Sequence, residues 1–384
     1  MRTDILVCPT SKQPLREVPL EVAERDLPRG SAFQAPLLTG CQPVGRTPTV
    51  WLRADGRGAY PVEDGFPVLR APEMLTPSDQ ERVVDVTVEP YSEVYSELLH
   101  YSGMGRADAA SIDSSTALRD MRRLTDLAES GRVAFPDPPG TWLDAKYELG
   151  AQYDAFRHLR PLRGARVLQL GGSGLHAVRF LLAGAEEAWL ASPMTGELLF
   201  GTALAARCGV ADRLHSVAGL AEELPFADNS FDAIYSQGCV HHWVVPLAGP
   251  ECLRVLRSGG RFAAVEPWRG PLYGIGTKLL GKRDRNVECV VLTAGRVAVP
   301  FGGLDALTVV HHGALTRYVL LALTRAGLKF DRRVVWRIGR IDDAISSAIP
   351  HLRDTGSSVA ILGVRPGVAR TDAAGDMTHQ MSIS

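Results

Sequence analysis

Apolar positions along this chain switch between two rhythms, most sharply around residues 166–184. Arg166-Val167-Leu168-Gln169-Leu170 is a short apolar run that ends in Gly171-Gly172-Ser173-Gly174. Val178, Phe180, Leu181 and Leu182 then recur at helical spacing up to residue 184. Strand, tight turn and helix in that order predict the first unit of a nucleotide-binding α/β sheet. Glycines there let the backbone approach a ligand, with helix N–H groups facing it. The alternation continues with predicted strands over 187–193 and 215–219 and a predicted helix over 197–208. Beyond them the spacing predicts a helix over 315–326, a strand running from 327 through 336, a helix over 341–352 and a last strand over 358–364. Residues 163–366 thus read as one α/β domain with an insertion at 268–312. Residues 367–384 are polar and aperiodic, and read as a disordered tail.

Upstream, the pattern predicts a helix from Tyr91, a second over 114–127 with Leu118, Met121 and Leu124 on one face, and a third over 142–159. Residues 76–162 read as a helical connecting and lid region. Residues 1–75 hold short β-type runs instead, with an Asp64-Gly65 hairpin turn inside Gly58-Ala59-Tyr60-Pro61-Val62-Glu63-Asp64-Gly65-Phe66-Pro67-Val68-Leu69. That run, with the opening Ile5-Leu6-Val7-Cys8-Pro9, resembles the small zinc-ribbon-like domain of the Trm112-like kind, often found beside methyltransferases. A structural zinc needs four soft or imidazole ligands. This segment has Cys8 and Cys41, no histidine, and Ser11 where a second ligand would stand, so a degenerate, metal-free version is expected.

Composition narrows the classes. Apolar residues make up 45% and charged residues 22%, as in a globular protein. Lys plus Arg is 42 against 43 Asp plus Glu, so no overall field favours nucleic acid or an anionic membrane. The six cysteines show no paired spacing, and no long uncharged apolar run is present; a reduced, cytoplasmic setting is expected. High Arg and Ala usage suits a bacterial source.

The most specific signal lies at Ala221-Glu222-Glu223-Leu224-Pro225-Phe226-Ala227-Asp228-Asn229-Ser230-Phe231-Asp232, followed by His241-His242. A second landmark is Glu251-Cys252-Leu253-Arg254-Val255-Leu256-Arg257-Ser258-Gly259-Gly260-Arg261-Phe262, leading to Glu266-Pro267. In this order the motifs resemble the class I S-adenosylmethionine-dependent methyltransferases, in the subgroup with quinone-biosynthesis and natural-product enzymes. The resemblance implies a Rossmann-like α/β sheet with helices on both faces, here joined to a small N-terminal β-rich domain. It implies S-adenosylmethionine contacts at Gln169, Gly171, Gly172, Gly174, Ser192, Leu220, Ala221, Glu222 and Gln237. His241, His242 and Glu266 fall where open α/β sheets bind ligands, and are the candidate catalytic groups. Tyr147 and Tyr153 before the first strand, and Trp268, Arg269 and Tyr273 in the insertion, are the substrate-binding candidates.

Three departures from the family pattern stand out. Gln169 replaces the usual acidic residue of the first strand, Ser192 and Pro193 stand where a ribose-binding carboxylate is usual, and Leu220 occupies a position often held by Asp. Glu197 is close enough in sequence to substitute for the missing carboxylate. The main expectation is methyl transfer to a small metabolite, with no nucleic-acid or membrane partner and a homodimer compatible with the pattern. Two alternatives stay open. One is another chemistry on the same fold, for instance metal-assisted through His176, His241, Glu266 and His311; the other is a non-catalytic binding partner.

Overall fold

The computed structural model describes residues 4–33, 48–70, 103–145, 148–268 and 292–367. Its N-terminal part is a three-stranded antiparallel sheet of β1 (Leu15–Pro19), β2 (Thr49–Arg53) and β3 (Ala59–Tyr60). Helix α1 (Leu20–Asp26) closes a small core of Val18, Ala23, Leu27, Val50, Leu52 and Ala59. Next comes the hairpin β4 (Val62–Glu63) and β5 (Phe66–Leu69), turned by Asp64 and Gly65, whose φ angles are 54° and 86°. Two consecutive positive φ angles are what a tight hairpin asks of an Asp-Gly pair.

The hairpin is not confined to the N-terminal unit. β5 runs parallel to β8 (Leu214–Gly219), with Val68 opposite Ala218 and Leu69 opposite Gly219. Further up the chain, the backbone of Ile5 to Val7 zips along Pro225 to Ala227: Val7 N–H donates to Pro225 O (3.0 Å) and Ala227 N–H to Ile5 O (2.8 Å). The N-terminal segment therefore extends the main sheet. Cys8 is buried, with its sulfur 3.1 Å from the Tyr60 hydroxyl. Among the described residues no three His, Cys, Asp or Glu side chains gather as a metal site; Cys41 lies outside them.

The main sheet runs β11-β12-β10-β9-β6-β7-β8-β5-β4. Its strands are β6 (Arg166–Leu170), β7 (Glu187–Ser192), β8, β9 (Phe231–Gln237), β10 (Leu256–Pro267), β11 (Asp305–His312) and β12 (Ser358–Val364). β8, β7, β6, β9 and β10 are parallel neighbours, and β12 is antiparallel to both β10 and β11. All six residues of β7 are buried, as in a parallel strand covered on both faces. The Rossmann-like α/β expectation holds, with a small antiparallel sheet before it. No described helix is long and apolar enough to cross a membrane.

Helices pack on this sheet. α2 (Thr116–Glu129) starts at Ser115, whose hydroxyl accepts from Leu118 N–H (3.1 Å), and buries Leu118, Met121 and Leu124 as the pattern predicts. α3 (Leu149–His158), α4 (Leu175–Leu182), α5 (Thr195–Arg207), α6 (Val245–Val255), α7 (Thr316–Arg325) and α8 (Arg332–Ala348) follow.

Two expectations fail. The helix over 142–159 is broken: a single turn at Pro139–Trp142 ends at an extended Leu143, and α3 begins only at Leu149. Gln152 explains the break, because its side-chain oxygen accepts from the backbone N–H groups of Asp144 (2.9 Å) and Ala145 (3.0 Å) and holds them out of a helix. No strand forms over 327–336: the chain leaves a turn at Gly327, runs irregularly to Asp331 and starts α8 at Arg332. Asp331 caps that helix by accepting from Arg333 N–H (2.8 Å), which overrides the β preference of Val334 and Val335. The strand beside β12 is β11, inside what the sequence reads as an insertion. It is fastened by His312, whose Nδ1 is 2.8 Å from Asp343 and whose Nε2 is 3.2 Å from Asp154. Burial pulls the imidazole down, but the two carboxylates outweigh it and raise the pKa to about 9.

Candidate functional site

Four parallel strands, β6 to β9, end together along one edge of the sheet, and a cavity of about 220 Å³ opens there. Its wall comes from the glycine turn after β6, the loop after β7, the one-turn helix after β8 (Ala221–Glu223) and the loop after β9. This is where open α/β sheets bind ligands.

The glycine turn owes its shape to Gln169. This side chain is buried; its Nε2 donates to Gly171 O (2.8 Å), and its Oε1 accepts from Ala177 N–H (2.7 Å) in the first turn of α4. Gly174, the cap residue of α4, has no side chain to satisfy that turn, so Gln169 caps the helix from the neighbouring strand. A carboxylate could accept but not donate, which is a physical reason for an amide here. Gly171 has φ 73° and faces Cys239: a Cβ added to it would stand 2.5 Å from the cysteine sulfur.

Ser192 is also buried and also committed to the protein. Its hydroxyl donates to Glu197 Oε2 (2.6 Å) and accepts from Met194 N–H (3.2 Å). Glu197, in the first turn of α5, lines the cavity, whereas Ser192 does not. The serine thus orients the carboxylate that the sequence reading offers as a substitute.

The loop after β9 is built on Glu266 of β10, which is fully buried. One oxygen accepts from Cys239 N–H (2.9 Å) and Val240 N–H (2.8 Å), and the other is 2.6 Å from His241 Nδ1. That pairing turns His241 inward. His242, whose ring centre is 3.8 Å from that of His241, lines the cavity with Trp243. The two histidines therefore have different surroundings.

A buried polar chain runs from this cavity into the helical region. Gln237, on the cavity wall, accepts from Tyr235 OH (2.5 Å) and Gln152 Nε2 (3.1 Å); Gln152 Nε2 also donates to Asp144 (2.5 Å), which pairs with Arg179 (2.9 Å). His176 sits in the same region, with its ring centre 5.0 Å from that of Tyr235. Burial, reinforced by Arg179 and opposed by Asp144, holds its pKa at about 4, so it stays neutral.

Of the cofactor candidates, Gly171, Gly172, Leu220, Ala221, Glu222 and Gln237 line the cavity. Gln169, Gly174 and Ser192 do not; they shape it from behind. For Gly174, a Cβ would fall 2.9 Å from Gly201 Cα, so this glycine serves the close contact of α4 with α5. Of the catalytic candidates, His242 faces the cavity, while His241 and Glu266 support it. Tyr153 is elsewhere, donating to Asp137 (3.0 Å) and packing on Trp336. Trp268 is buried against His311, away from the cavity. Tyr147, Arg269 and Tyr273 lie outside the described residues. The set His176, His241, Glu266 and His311 does not converge: only His241 and Glu266 touch, and His176 and His311 are held in separate aromatic contacts. Cys239, Met194 and Trp243 were not anticipated. Trp243 had one available signal, its place directly after the His-His pair.

Residues 171–264 match the family model described as a methyltransferase domain. Among curated proteins, the chain is 38% identical over 111 residues to the ubiquinone/menaquinone biosynthesis C-methyltransferase of Dinoroseobacter shibae, covering 28% of this chain and 44% of that protein. The enzyme of the same name from Brucella anthropi is 39% identical over 99 residues, 25% of this chain and 38% of that protein. The chain thus spans less than half the length of these relatives. Among solved structures, geranyl diphosphate C-methyltransferase from Streptomyces coelicolor A3(2), in complex with Mg²⁺, geranyl diphosphate and S-adenosyl-L-homocysteine, is 18% identical with a TM-score of 0.42, over 61% of this chain and 88% of that one. The residues matched, 171–264, run from the glycine turn after β6 into β10 and so include all four segments that wall the cavity.

Proposed function

We propose that the chain transfers a methyl group from S-adenosylmethionine to a small metabolite. The observation that carries this reading is Glu197, turned by Ser192 toward a cavity at the ends of β6 to β9 that is otherwise mostly apolar. The residues present suit the cofactor. Gly171 and Gly172 let the backbone approach closely, Glu197 is an acceptor for ribose hydroxyls, and Leu220, Ala221 and Trp243 are apolar surface for the adenine. When bound, S-adenosylmethionine supplies a methyl group already activated on a sulfonium, so the protein's main task is alignment.

His242 takes the proton from the acceptor atom of the substrate, because it is the histidine that lines the cavity. His241 and Glu266 are positioning residues: they fix the loop that carries His242. Trp243 and Cys239 narrow the space beside it and help exclude water.

Calorimetry on the full chain with S-adenosylmethionine and S-adenosylhomocysteine tests the reading, and absence of heat from both at millimolar ligand sinks it. Ser192→Ala should weaken S-adenosylhomocysteine binding by about tenfold, the worth of one charge-assisted hydrogen bond, and lower the stability of the free chain by about 1–3 kcal/mol, because the Met194 N–H loses its acceptor.

A further inference from the structure

A second cavity, of about 620 Å³, lies between α2 and α8, and it differs in chemistry from the first. Arginines dominate it: Arg123 of α2, Arg179 of α4, and Arg332 and Arg333 of α8. Two are accounted for within the protein. Arg332 pairs with Asp120 (2.6 Å), and Arg179 pairs with Asp144 (2.9 Å). The other acidic residue of the wall, Asp331, is committed to capping α8. Arg123 and Arg333 are exposed and have no acidic partner among the described residues.

Arg179 supplies a further observation. It is only 3% exposed, and its Nε–H is buried with no hydrogen-bond partner. A buried guanidinium donor without an acceptor is costly, and buried polar groups in native proteins are nearly always paired. Arg179 also lines this cavity, so an incoming anion would sit beside a third guanidinium while neutralising the two open arginines together.

We propose that this cavity binds a small molecule through a phosphate group, held by Arg123, Arg333 and Arg179. A phosphate monoester carries roughly −1.5 to −2 charge near neutral pH, which matches two uncompensated guanidinium groups. Guanidinium forks also fit phosphate oxygens in pairs, as lysine does not. The site is separate from the sheet-edge cavity and does not depend on the methyl-transfer reading.

The test is calorimetry at low ionic strength on the full chain, titrating glycerol phosphate and inorganic phosphate separately. Saturable one-site binding of glycerol phosphate is expected, weakened at least about tenfold by Arg123→Ala with Arg333→Ala. Both side chains are on the surface, so the fold should survive, which far-ultraviolet circular dichroism checks. No saturable binding of glycerol phosphate overturns the proposal, as does binding that the double variant leaves unchanged. Binding of inorganic phosphate but not of the ester overturns it as a small-molecule site. S-adenosylhomocysteine binding measured in the same double variant should be unaltered, which separates this site's failure from the failure of the cofactor reading.

Discussion

The loops after β6 and after β9 face the same cavity and are built in the same way, yet from opposite materials. In each, one buried side chain from a strand holds the backbone of a loop. At the glycine turn the anchor is neutral: Gln169 donates to Gly171 and accepts from Ala177. At the histidine loop it is a fully buried carboxylate: Glu266 accepts from Cys239, Val240 and His241. The neighbours set the choice. The turn presents both a carbonyl and an N–H, which an amide satisfies together. The histidine loop presents only donors, which a carboxylate satisfies. The polar residue most visible in a motif is therefore the one that holds the loop, and it is nearby residues, Glu197 and His242, that line the cavity.

This contrast is most exposed at Glu266. Glu266→Leu leaves two backbone donors and His241 unpaired in the core, and should cost roughly 3–5 kcal/mol, read from urea unfolding. A smaller loss than that of the Gln169 variant described below would remove the distinction between the two anchors.

Charged anchors should also answer to pH, and His312 shows the expected sign. Its pKa of about 9 in the folded protein lies above the usual imidazole value near 6.5. The folded state therefore holds the proton more tightly, and the gain is fully present below about pH 6.5 and lost as pH rises through about 9. The difference is worth about 3 kcal/mol. Unfolding midpoints at pH 6.5 and 9 should diverge more in the native chain than in His312→Asn.

Gln169→Leu should cost least of the three, about 1–3 kcal/mol for the groups left unpaired, without added pH dependence between those values. A pH-dependent loss at this position would break the comparison from the other side.

Much of the fold was legible in the residues. The strand-turn-helix rhythm locates β6 to β8 and their helices, because parallel strands buried on both faces read as uniform apolar runs, and the motifs over 221–232 and 251–267 place β9 and β10. The errors fall where a side chain overrides local preference. Gln152 pulls Asp144 and Ala145 out of a helix, and the Asp331 cap turns Val334 and Val335 into one. The site was legible only in part. Motif position brings out Gln169 and Ser192, but direction is a tertiary property, and no spacing rule says that Glu266 turns His241 inward and leaves His242 on the cavity wall. Trp268 follows the ordinary tendency of aromatic residues to be core, and Tyr153 packs half-buried on Trp336.

The pairing of β5 with β8 has a consequence for how the chain is assembled. Residues 68–69 meet residues 218–219, so this contact closes a loop of about 150 residues, and such closures come late because their entropic cost precedes their reward. On the ribosome, the hairpin emerges early and waits for most of the parallel sheet before it finds its edge. Until then the edge of β5 that pairs with β8 has no partner strand, and the outer rim of β8 stays open to strand addition from another chain. The N-terminal segment is in that sense the closing seam of the sheet, made first and sewn last.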